Sequence, residues 1–317
     1  MPLVNTKKMF MDAYKNHYAV GAFNVDTLLQ CQAVLEAAEE CDSPVILAFS
    51  SGSRDFFHPG NIKDILEIVS KDMHIPFAIH LDHGKNFEIC KSCIDEGFTS
   101  VMIDASNYDF EENIHITKEV VDYAHKKGVT VEGELGPISK RNDPRFKKYT
   151  DPEMVKEFVM RTGVDSLAVS MGTCHGLAKF GPDEKAELQF DLIEEVEKLL
   201  PGFPLVLHGS SSIPEEYLNI FNENGGELKG TRGVPEELLE KVAKTAVCKI
   251  NIGTDFRVAF VGGLRKSLND FKDRFEPRYF LIPAKEQCKK IVKEKLSNVF
   301  KSANKIGKME KEEKICH

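Results

Sequence analysis

Eight short apolar runs recur along the chain, and each is followed by a longer stretch of mixed polar and apolar residues. The runs are rich in Val, Ile, Leu and Phe and are too short for helices, which is typical of parallel strands buried on both faces. They comprise residues 19–25, 45–49, 77–81, 100–104, 130–135, 166–169, 205–208 and 247–250. The stretches 28–40, 111–127, 152–161 and 191–200 repeat apolar residues at helical spacing and carry charges on the other face.

Eight strands alternating with helices predict a (β/α)8 TIM barrel of the α/β class. A doubly wound sheet is the rival fold, but no predicted strand is followed by the G-x-G-x-x-G of dinucleotide-binding sheets. Two segments interrupt the alternation: a polar loop at 136–149 and a glycine-rich insertion at 222–235, before the last strand. The Lys- and Glu-rich end, from residue 304 onward, is expected to fray.

Charge and cysteine content narrow the class of protein. Lys and Arg number 42 against 50 Asp and Glu, and the net charge of −8 argues against nucleic acid or an anionic membrane as a partner. A small anionic substrate remains compatible, because a local pocket can oppose the overall sign. No apolar run reaches the roughly 18 residues of a membrane span, and residues 1–15 lack the pattern of a secretory signal. Eight scattered cysteines therefore indicate reduced thiols in a cytoplasmic protein.

Three histidines mark the carboxyl ends of predicted strands, where a barrel places its active site. His83, His175 and His208 each stand directly before a glycine. Three neutral imidazoles with one open position are the ligand pattern of catalytic zinc. A hydrogen-bonded loop histidine is the alternative for any one of them, but their recurrence at three strand ends favours a zinc site. His80 is expected on the other side of its strand, in a supporting role.

Carboxylates accompany these histidines at the strand ends. Asp82 adjoins a proposed ligand, where it could move the proton of a reacting hydroxyl or orient an imidazole. Asp104 and Glu134 could hold a second cation, position the histidines or simply cap strand ends. The loops at 209–212 and 253–254 supply backbone N–H groups and hydroxyls, and barrels often bind phosphate between these loops. Lys179 could add positive charge, which suggests a phosphorylated substrate.

Taken together, these motifs resemble those of the class II, zinc-dependent fructose-bisphosphate aldolases. The matching segments are 20–24, 80–84, 101–106, 132–136, 172–176, 207–212 and 249–255. The insertion at 230–235 and the segment 302–306 resemble the branch of the family found as dimers or larger oligomers. The likeness covers residues 1–306, which we expect to form a single barrel domain, with 307–317 as a frayed tail.

The resemblance implies a role for each matching residue. His83, His175 and His208 would bind the catalytic zinc, and Asp82 would exchange the C4 hydroxyl proton during carbon–carbon cleavage. Asp104 and Glu134 match a second metal site of some members, and its cation could be monovalent. The implied contacts with substrate fall on Asn24, Asn251 and Gly253 near the sugar, on Gly176, Lys179, Gly209, Ser211 and Thr254 for the phosphate of dihydroxyacetone phosphate, and on Ser50, Arg257 and Arg278 for the second phosphate. Arg278 would come from a neighbouring subunit.

Two positions depart from the family pattern. The family moves the C3 proton with a loop glutamate, but Asn142 stands at that position here, and we expect its neighbour Asp143 to act as a weaker base. Fructose-selective members carry an Asp where this chain has Gly253, whereas members that cleave tagatose 1,6-bisphosphate have a small residue there.

The sequence thus predicts a homo-oligomeric zinc aldolase of glycolysis and gluconeogenesis. Its reversible reaction would cleave a ketose 1,6-bisphosphate, fructose 1,6-bisphosphate first, to dihydroxyacetone phosphate and glyceraldehyde 3-phosphate. Two alternatives stay open. One is an aldolase for tagatose bisphosphate or another sugar phosphate; the other is a low-activity or non-catalytic homologue that binds zinc and sugar phosphate.

Overall fold

A computed structural model describes residues 3–136, 138, 149–174, 176 and 186–306. Eight parallel strands form a closed barrel in chain order, with the first strand paired to both the second and the eighth. The (β/α)8 prediction is confirmed. The strands are β1 (Val20–Asn24), β2 (Val45–Ser50), β3 (Phe77–Gly84), β4 (Ser100–Ile103), β5 (Thr130–Leu135), β6 (Ser166–Val169), β7 (Leu205–Leu207) and β8 (Val247–Ile252).

Helices separate the strands, and short polar residues begin many of them. Thr27 caps the helix Leu28–Cys41 in a reciprocal capping box with Gln30, and Asn86 and Asp109 cap the helices Phe87–Asp95 and Phe110–His125 with their side chains. The helices are α1 (Thr6–Asn16), α2 (Leu28–Cys41), α3 (Ser51–Phe57), α4 (Ile62–Val69), α5 (Phe87–Asp95), α6 (Phe110–His125), α7 (Pro152–Thr162), α8 (Phe190–Leu199), α9 (Glu215–Glu223), α10 (Glu236–Val242), α11 (Thr254–Asp270) and α12 (Arg278–Glu294), followed by a π-helical turn, Lys295–Val299.

The apolar core lies mainly between the barrel and the helices. Alternate strand residues, such as Phe23, Leu47 and Val101, belong to one large buried cluster with the helix faces. The residues between them point into the barrel, where small or apolar side chains such as Ala22 and Ile46 close the amino-terminal end. None of the helices in the described part of the chain combines the length and apolar character that a membrane crossing requires.

Strand β3 differs from the prediction in a way that shapes the site. It extends to Gly84 rather than ending at Leu81, and its register with β4 shifts between Leu81 and Gly84. His83 adopts a left-handed backbone with φ of 52°. A non-glycine residue in this region costs about 1–3 kcal/mol and persists where surrounding structure imposes it. The irregularity breaks strict alternation, so that two successive side chains, Asp82 and His83, both reach the barrel mouth.

Two further expectations concern the end of the chain. The insertion at 222–235 lies between α9 and α10, so two helices precede β8. The prediction that fraying begins at residue 304 is wrong, because the backbone N–H groups of Asn304 and Lys305 donate to the carbonyls of Cys41 (2.8 Å) and Asp42 (3.0 Å). Residues 307–317 lie outside the described part of the chain.

Candidate active site

Two of the three proposed zinc ligands meet at the carboxyl end of the barrel. The ring centroids of His83, at the end of β3, and His208, just after β7, are 4.8 Å apart. One ligand atom from each lies, together with a carboxylate oxygen of Asp82, in a group whose members are all within 4.8 Å of one another. These three residues therefore form a compact potential metal centre.

His175 lies outside the described residues, but the chain just before it packs against this centre. The Thr173 hydroxyl donates to the carbonyl of His208 at 2.7 Å. Gly209 has a φ of 63°, and a Cβ there would lie 2.6 Å from the carbonyl oxygen of Cys174. The loop after β6 is thus in direct contact with the loop after β7.

Carboxylates set the orientation of both imidazoles. His208 Nε2 lies 2.8 Å from Glu132 Oε1, and His83 Nδ1 lies 2.9 Å from Asp104 Oδ2. Because a carboxylate accepts hydrogen bonds, these nitrogens are the donors, and in the neutral imidazoles the lone pairs belong to Nδ1 of His208 and Nε2 of His83. Neutral imidazole lone pairs beside a carboxylate are a donor set that fits a divalent transition-metal ion.

The electrostatics of the centre also favour a cation. Burial lowers the pKa of His208. Burial opposes charge on His83 as well, but Asp82 and the hydrogen bond to Asp104 outweigh it and raise the pKa of His83 to about 10. The negative field that would attract a proton to His83 would equally attract a metal ion.

Asp82 is clamped between two amides. Its Oδ2 accepts from Asn24 Nδ2 at 2.7 Å, and its Oδ1 accepts from Asn251 Nδ2 at 3.1 Å. Burial raises the pKa of this carboxyl group, but the positive field of His83 and His208 outweighs that effect and holds the pKa well below its usual range. Asp82 is therefore ionised and fixed in position. Among the described residues, the buried Oδ1 of Asn251 has no hydrogen-bond partner, so it could accept from a bound hydroxyl.

The residues predicted for a second cation site also lie close together. His83, Asp104 and Glu134 form a second group of potential ligands. The Ser106 hydroxyl lies 2.7 Å from Asp104 Oδ1 and 2.9 Å from Glu134 Oε1. Burial and the nearby charge of Asp104 raise the pKa of Glu134 to about 7. Asp104 therefore has two possible roles. It orients His83 through their hydrogen bond, and together with Glu134 it could supply the negative charge that holds a cation.

The predicted phosphate loops lie side by side. Ser211 Oγ accepts from the backbone N–H of Thr254 at 3.2 Å, and Thr254 is the first residue of α11. The amino-terminal end of a 17-residue helix is a favourable place for an anion. Gly176, on the loop after β6, has a φ of 112°. Lys179, also expected at this site, and the loop residues Asn142 and Asp143 lie outside the described residues.

Two residues expected at the second phosphate fall in one network that the sequence did not reveal. Arg257 Nε donates to Asp26 Oδ2 at 2.8 Å, and the Ser53 hydroxyl donates to Asp26 Oδ1 at 2.6 Å. The Ser50 and Ser53 hydroxyls are 2.8 Å apart. Asp26 lies two residues after the end of β1, and this position near a strand end was the signal for its role.

Gly253 lies beside this network, whereas the described contacts of Arg278 lie outside it. A Cβ on Gly253 would be 3.0 Å from Asn24 Oδ1 and 3.6 Å from Arg257 Nη1, so a side chain there would point between the two. Arg278 begins α12 with its side chain mostly exposed, 3.6 Å from Glu276, and its guanidinium packs on the Tyr279 ring. The described contacts of Arg278 thus include no residue of the His83–His208 centre.

His80 faces the barrel interior, so the expectation that it lies on the other side of its strand is wrong, and its neighbours there were not predicted. His80 Nε2 lies 3.0 Å from Lys249 Nζ, and Lys249 is also 2.7 Å from Glu132 Oε2. Burial, reinforced by the charge of Lys249, lowers the pKa of His80 to about 3. The signal for Glu132 was present, since it is two residues before Glu134 and therefore faces the same side of β5.

The fold and this site define a (β/α)8-barrel enzyme with a histidine–carboxylate centre at the carboxyl ends of its strands. The family model for "Fructose-bisphosphate aldolase class-II" matches residues 4–305. The chain belongs to that family and is an aldolase, an enzyme that makes and breaks carbon–carbon bonds. The class uses a metal ion, and the two ligand groups described above are candidates to bind it.

Similar proteins agree with this assignment. The chain is 43% identical to a fructose-bisphosphate aldolase of Treponema pallidum, over 96% of this chain and 97% of that protein. It is 40% identical to one of Giardia intestinalis, over 97% of this chain and 95% of that protein. The crystal structure of the YdjI aldolase from Escherichia coli K12 superposes with a TM-score of 0.77 at 30% identity, covering 96% of this chain and 99% of that one.

Proposed function

We propose that the protein is a zinc-dependent aldolase that reversibly cleaves a ketose 1,6-bisphosphate, with fructose 1,6-bisphosphate as the first candidate. The products would be dihydroxyacetone phosphate and glyceraldehyde 3-phosphate, in cytoplasmic glycolysis and gluconeogenesis. One observation carries the proposal: the ionised carboxylate of Asp82 is held by two amides beside the imidazoles of His83 and His208. Each imidazole donates to a carboxylate through one ring nitrogen, so its lone pair is on the other nitrogen.

The proposed zinc ion would be held by His83, His175 and His208, and when bound it would polarise the ketone carbonyl of the substrate. In the cleavage direction Asp82 accepts the C4 hydroxyl proton as the C3–C4 bond breaks and the aldehyde forms. C3 of the remaining triose then takes up a proton, and we assign its delivery to Asp143. Asn251 lies on β8, two residues after the buried Lys249. Its Oδ1 would accept a hydrogen bond from a hydroxyl of the sugar.

Both phosphates have candidate sites on this chain. The triose phosphate would bind Gly176, Lys179, Gly209, Ser211 and Thr254 at the start of α11. The second phosphate would bind Ser50 and Arg257, which the Asp26–Ser53 network already orients, together with Arg278 from a neighbouring subunit of a homodimer or larger oligomer. Asp104 and Glu134 would hold a second cation, monovalent or divalent.

A second candidate substrate is tagatose 1,6-bisphosphate, and Gly253 favours it. A glycine leaves space between Asn24 and Arg257 that an aspartate would fill, and the charge facing Arg257 comes from Asp26 instead. The two sugars differ only in the configuration at C4, one of the two carbons of the bond that breaks. A side chain at position 253 would therefore affect which sugar fits.

A coupled cleavage assay tests the function directly. Purified protein is given fructose 1,6-bisphosphate, tagatose 1,6-bisphosphate and fructose 1-phosphate, each with and without a chelator. We expect at least one bisphosphate to be cleaved, with kcat/KM for the monophosphate lower by roughly 10²-fold or more, because charge-assisted hydrogen bonds to the second phosphate are lost. Equal cleavage of the monophosphate would remove the bisphosphate assignment. Binding of all three without cleavage would identify a non-catalytic homologue.

Substitution of Gly253 tests which sugar the site prefers. The aspartate of Gly253→Asp would compete with Asp26 for Arg257, and we expect the ratio of kcat/KM values to move toward fructose 1,6-bisphosphate by about 10-fold, a typical discrimination from one contact. Gly253→Ala is the matched control, since it introduces the same close contact with Asn24 without a charge. A ratio that is the same in both variants and the wild type would show that position 253 does not select the sugar.

A further inference from the structure

A continuous line of buried polar side chains runs through the barrel beneath His208. Lys249 Nζ lies 3.0 Å from His80 Nε2 and 2.7 Å from Glu132 Oε2, and Glu132 Oε1 lies 2.8 Å from His208 Nε2. Each of these four side chains is at most 1% exposed. The line joins β8, β3 and β5 to the loop that carries a proposed metal ligand.

Each hydrogen bond in this line has one possible direction. An ammonium group only donates, so His80 Nε2 accepts from Lys249, and His80 Nδ1 donates to the Ser100 hydroxyl 2.8 Å away. Glu132 accepts from Lys249 on one oxygen and from His208 on the other. The proton of His208 is thereby kept on Nε2, so Nδ1 is the nitrogen whose lone pair a metal ion would use.

Lys249 determines where the Glu132 carboxylate lies. Its bond to Oε2 fixes the plane of the carboxylate, so that Oε1 faces the imidazole. Its charge also balances a carboxylate that is shielded from water, and a buried anion without a paired cation is strongly disfavoured. Two residues farther along β8, Asn251 holds Asp82 in the same way, so this one strand supports both halves of the centre.

We propose that Lys249 is a positioning residue for the metal centre: through Glu132 it holds the His208 imidazole with Nδ1 toward the site, and so sets the affinity for the metal ion. The inference rests on the proposed metal-binding function of His83 and His208. It concerns how the ligand is held rather than which residues are ligands.

The direction in which metal affinity changes when Lys249 is removed distinguishes this role from a direct effect of its charge. A positive charge beneath a cation site repels the cation, so removing Lys249 would tighten metal binding if the charge acted directly. If Lys249 acts through Glu132, its removal weakens binding, because the imidazole loses its orientation. Replacement of groups that orient a metal-bound histidine typically weakens metal affinity by 10–100-fold.

The test is the zinc dissociation constant of the full-length protein and of Lys249→Met, measured by competition with a chromophoric chelator. We expect the constant to rise by about 10–100-fold and the absorption bands of the cobalt-loaded protein to shift, since the ligand geometry changes. Lys295→Met is the matched control. Lys295 is also 1% exposed and also paired with carboxylates, Glu236 at 2.6 Å and Asp255 at 2.9 Å, and its loss should leave zinc affinity and the cobalt spectrum unchanged.

A double-mutant cycle tests whether Lys249 acts on zinc affinity through Glu132. Glu132→Gln should itself weaken zinc binding, and adding Lys249→Met to it should cause little further loss or a partial recovery. If Lys249→Met does not fold, Lys249→Gln keeps a hydrogen-bond donor while removing the charge and should show the same weakening to a smaller extent.

Tighter or unchanged zinc binding in the foldable Lys249 variant would overturn the inference while leaving the proposed function intact. Additive losses in the cycle, or the same loss in Lys295→Met, would also overturn it. A wild-type protein that binds neither zinc nor cobalt would instead overturn the proposed function, and the inference with it.

Discussion

Replacing His208 with alanine is expected to lower kcat/KM for ketose bisphosphate cleavage by at least about 10³-fold. The variant leaves at most two imidazoles at the centre, and polarisation of a carbonyl by a bound metal ion contributes several kcal/mol to transition-state stabilisation, each 1.36 kcal/mol being tenfold in rate. Bound zinc, determined on the purified protein, should fall with the activity. His125→Ala is the matched control, because His125 also lies 2.9 Å from a carboxylate, that of Asp165, but on the surface of the protein.

Removal of the metal ion should lower cleavage activity as the loss of the His208 imidazole does. Excess chelator should abolish cleavage, and added zinc should restore it. Treatment with borohydride during turnover should trap no lysine adduct, because the lysine beneath the centre, Lys249, is engaged by Glu132 and His80. Full activity in excess chelator, or a trapped lysine adduct, would contradict the zinc mechanism.

Asp82→Asn is expected to reduce cleavage by about 10²–10⁴-fold, the usual contribution of a positioned general acid or base. The substitution preserves the shape of the side chain and should preserve the fold. The introduced amide can accept from Asn24, and it can donate to Asn251 once the Asn251 amide turns over to present Oδ1 in place of Nδ2. The loss should appear mainly in kcat, since Asp82 acts on the proton that moves as the bond breaks.

Hydrogen exchange at C3 of dihydroxyacetone phosphate distinguishes the proposed role of Asp82 at the C4 hydroxyl from that of Asp143 at C3. Asp82→Asn should retain most of the exchange while it loses cleavage, whereas Asp143→Asn should lose exchange by about 10²-fold or more. The two variants thus serve as controls for each other. Cleavage by Asp82→Asn at the wild-type rate would exclude Asp82 as the C4 base, and unchanged exchange in Asp143→Asn would exclude Asp143 as the C3 base.

Much of the architecture follows from local pattern. A strand buried on both faces must be apolar along its length, so seven of the eight predicted runs begin at the same residue as the observed strand. Because parallel strands in a barrel end on one face, residues at different strand ends, such as Asp82, His83 and His208, could be assigned to one site without knowing any distance. His175 and Asp143 remain predictions of the sequence, outside the described residues.

The pairing of side chains was decided by the tertiary structure alone. Period-two alternation says that Glu132 and Lys249 face inward, but they are 117 positions apart, and only closure of the barrel puts them in contact. The Asp26–Arg257 pair likewise depends on β8 returning to β1. The irregularity in β3 that turns Asp82 and His83 to the same mouth costs local backbone energy, so no propensity of those residues predicts it. Sequence patterns report what each residue prefers locally, whereas these contacts depend on how distant strands meet.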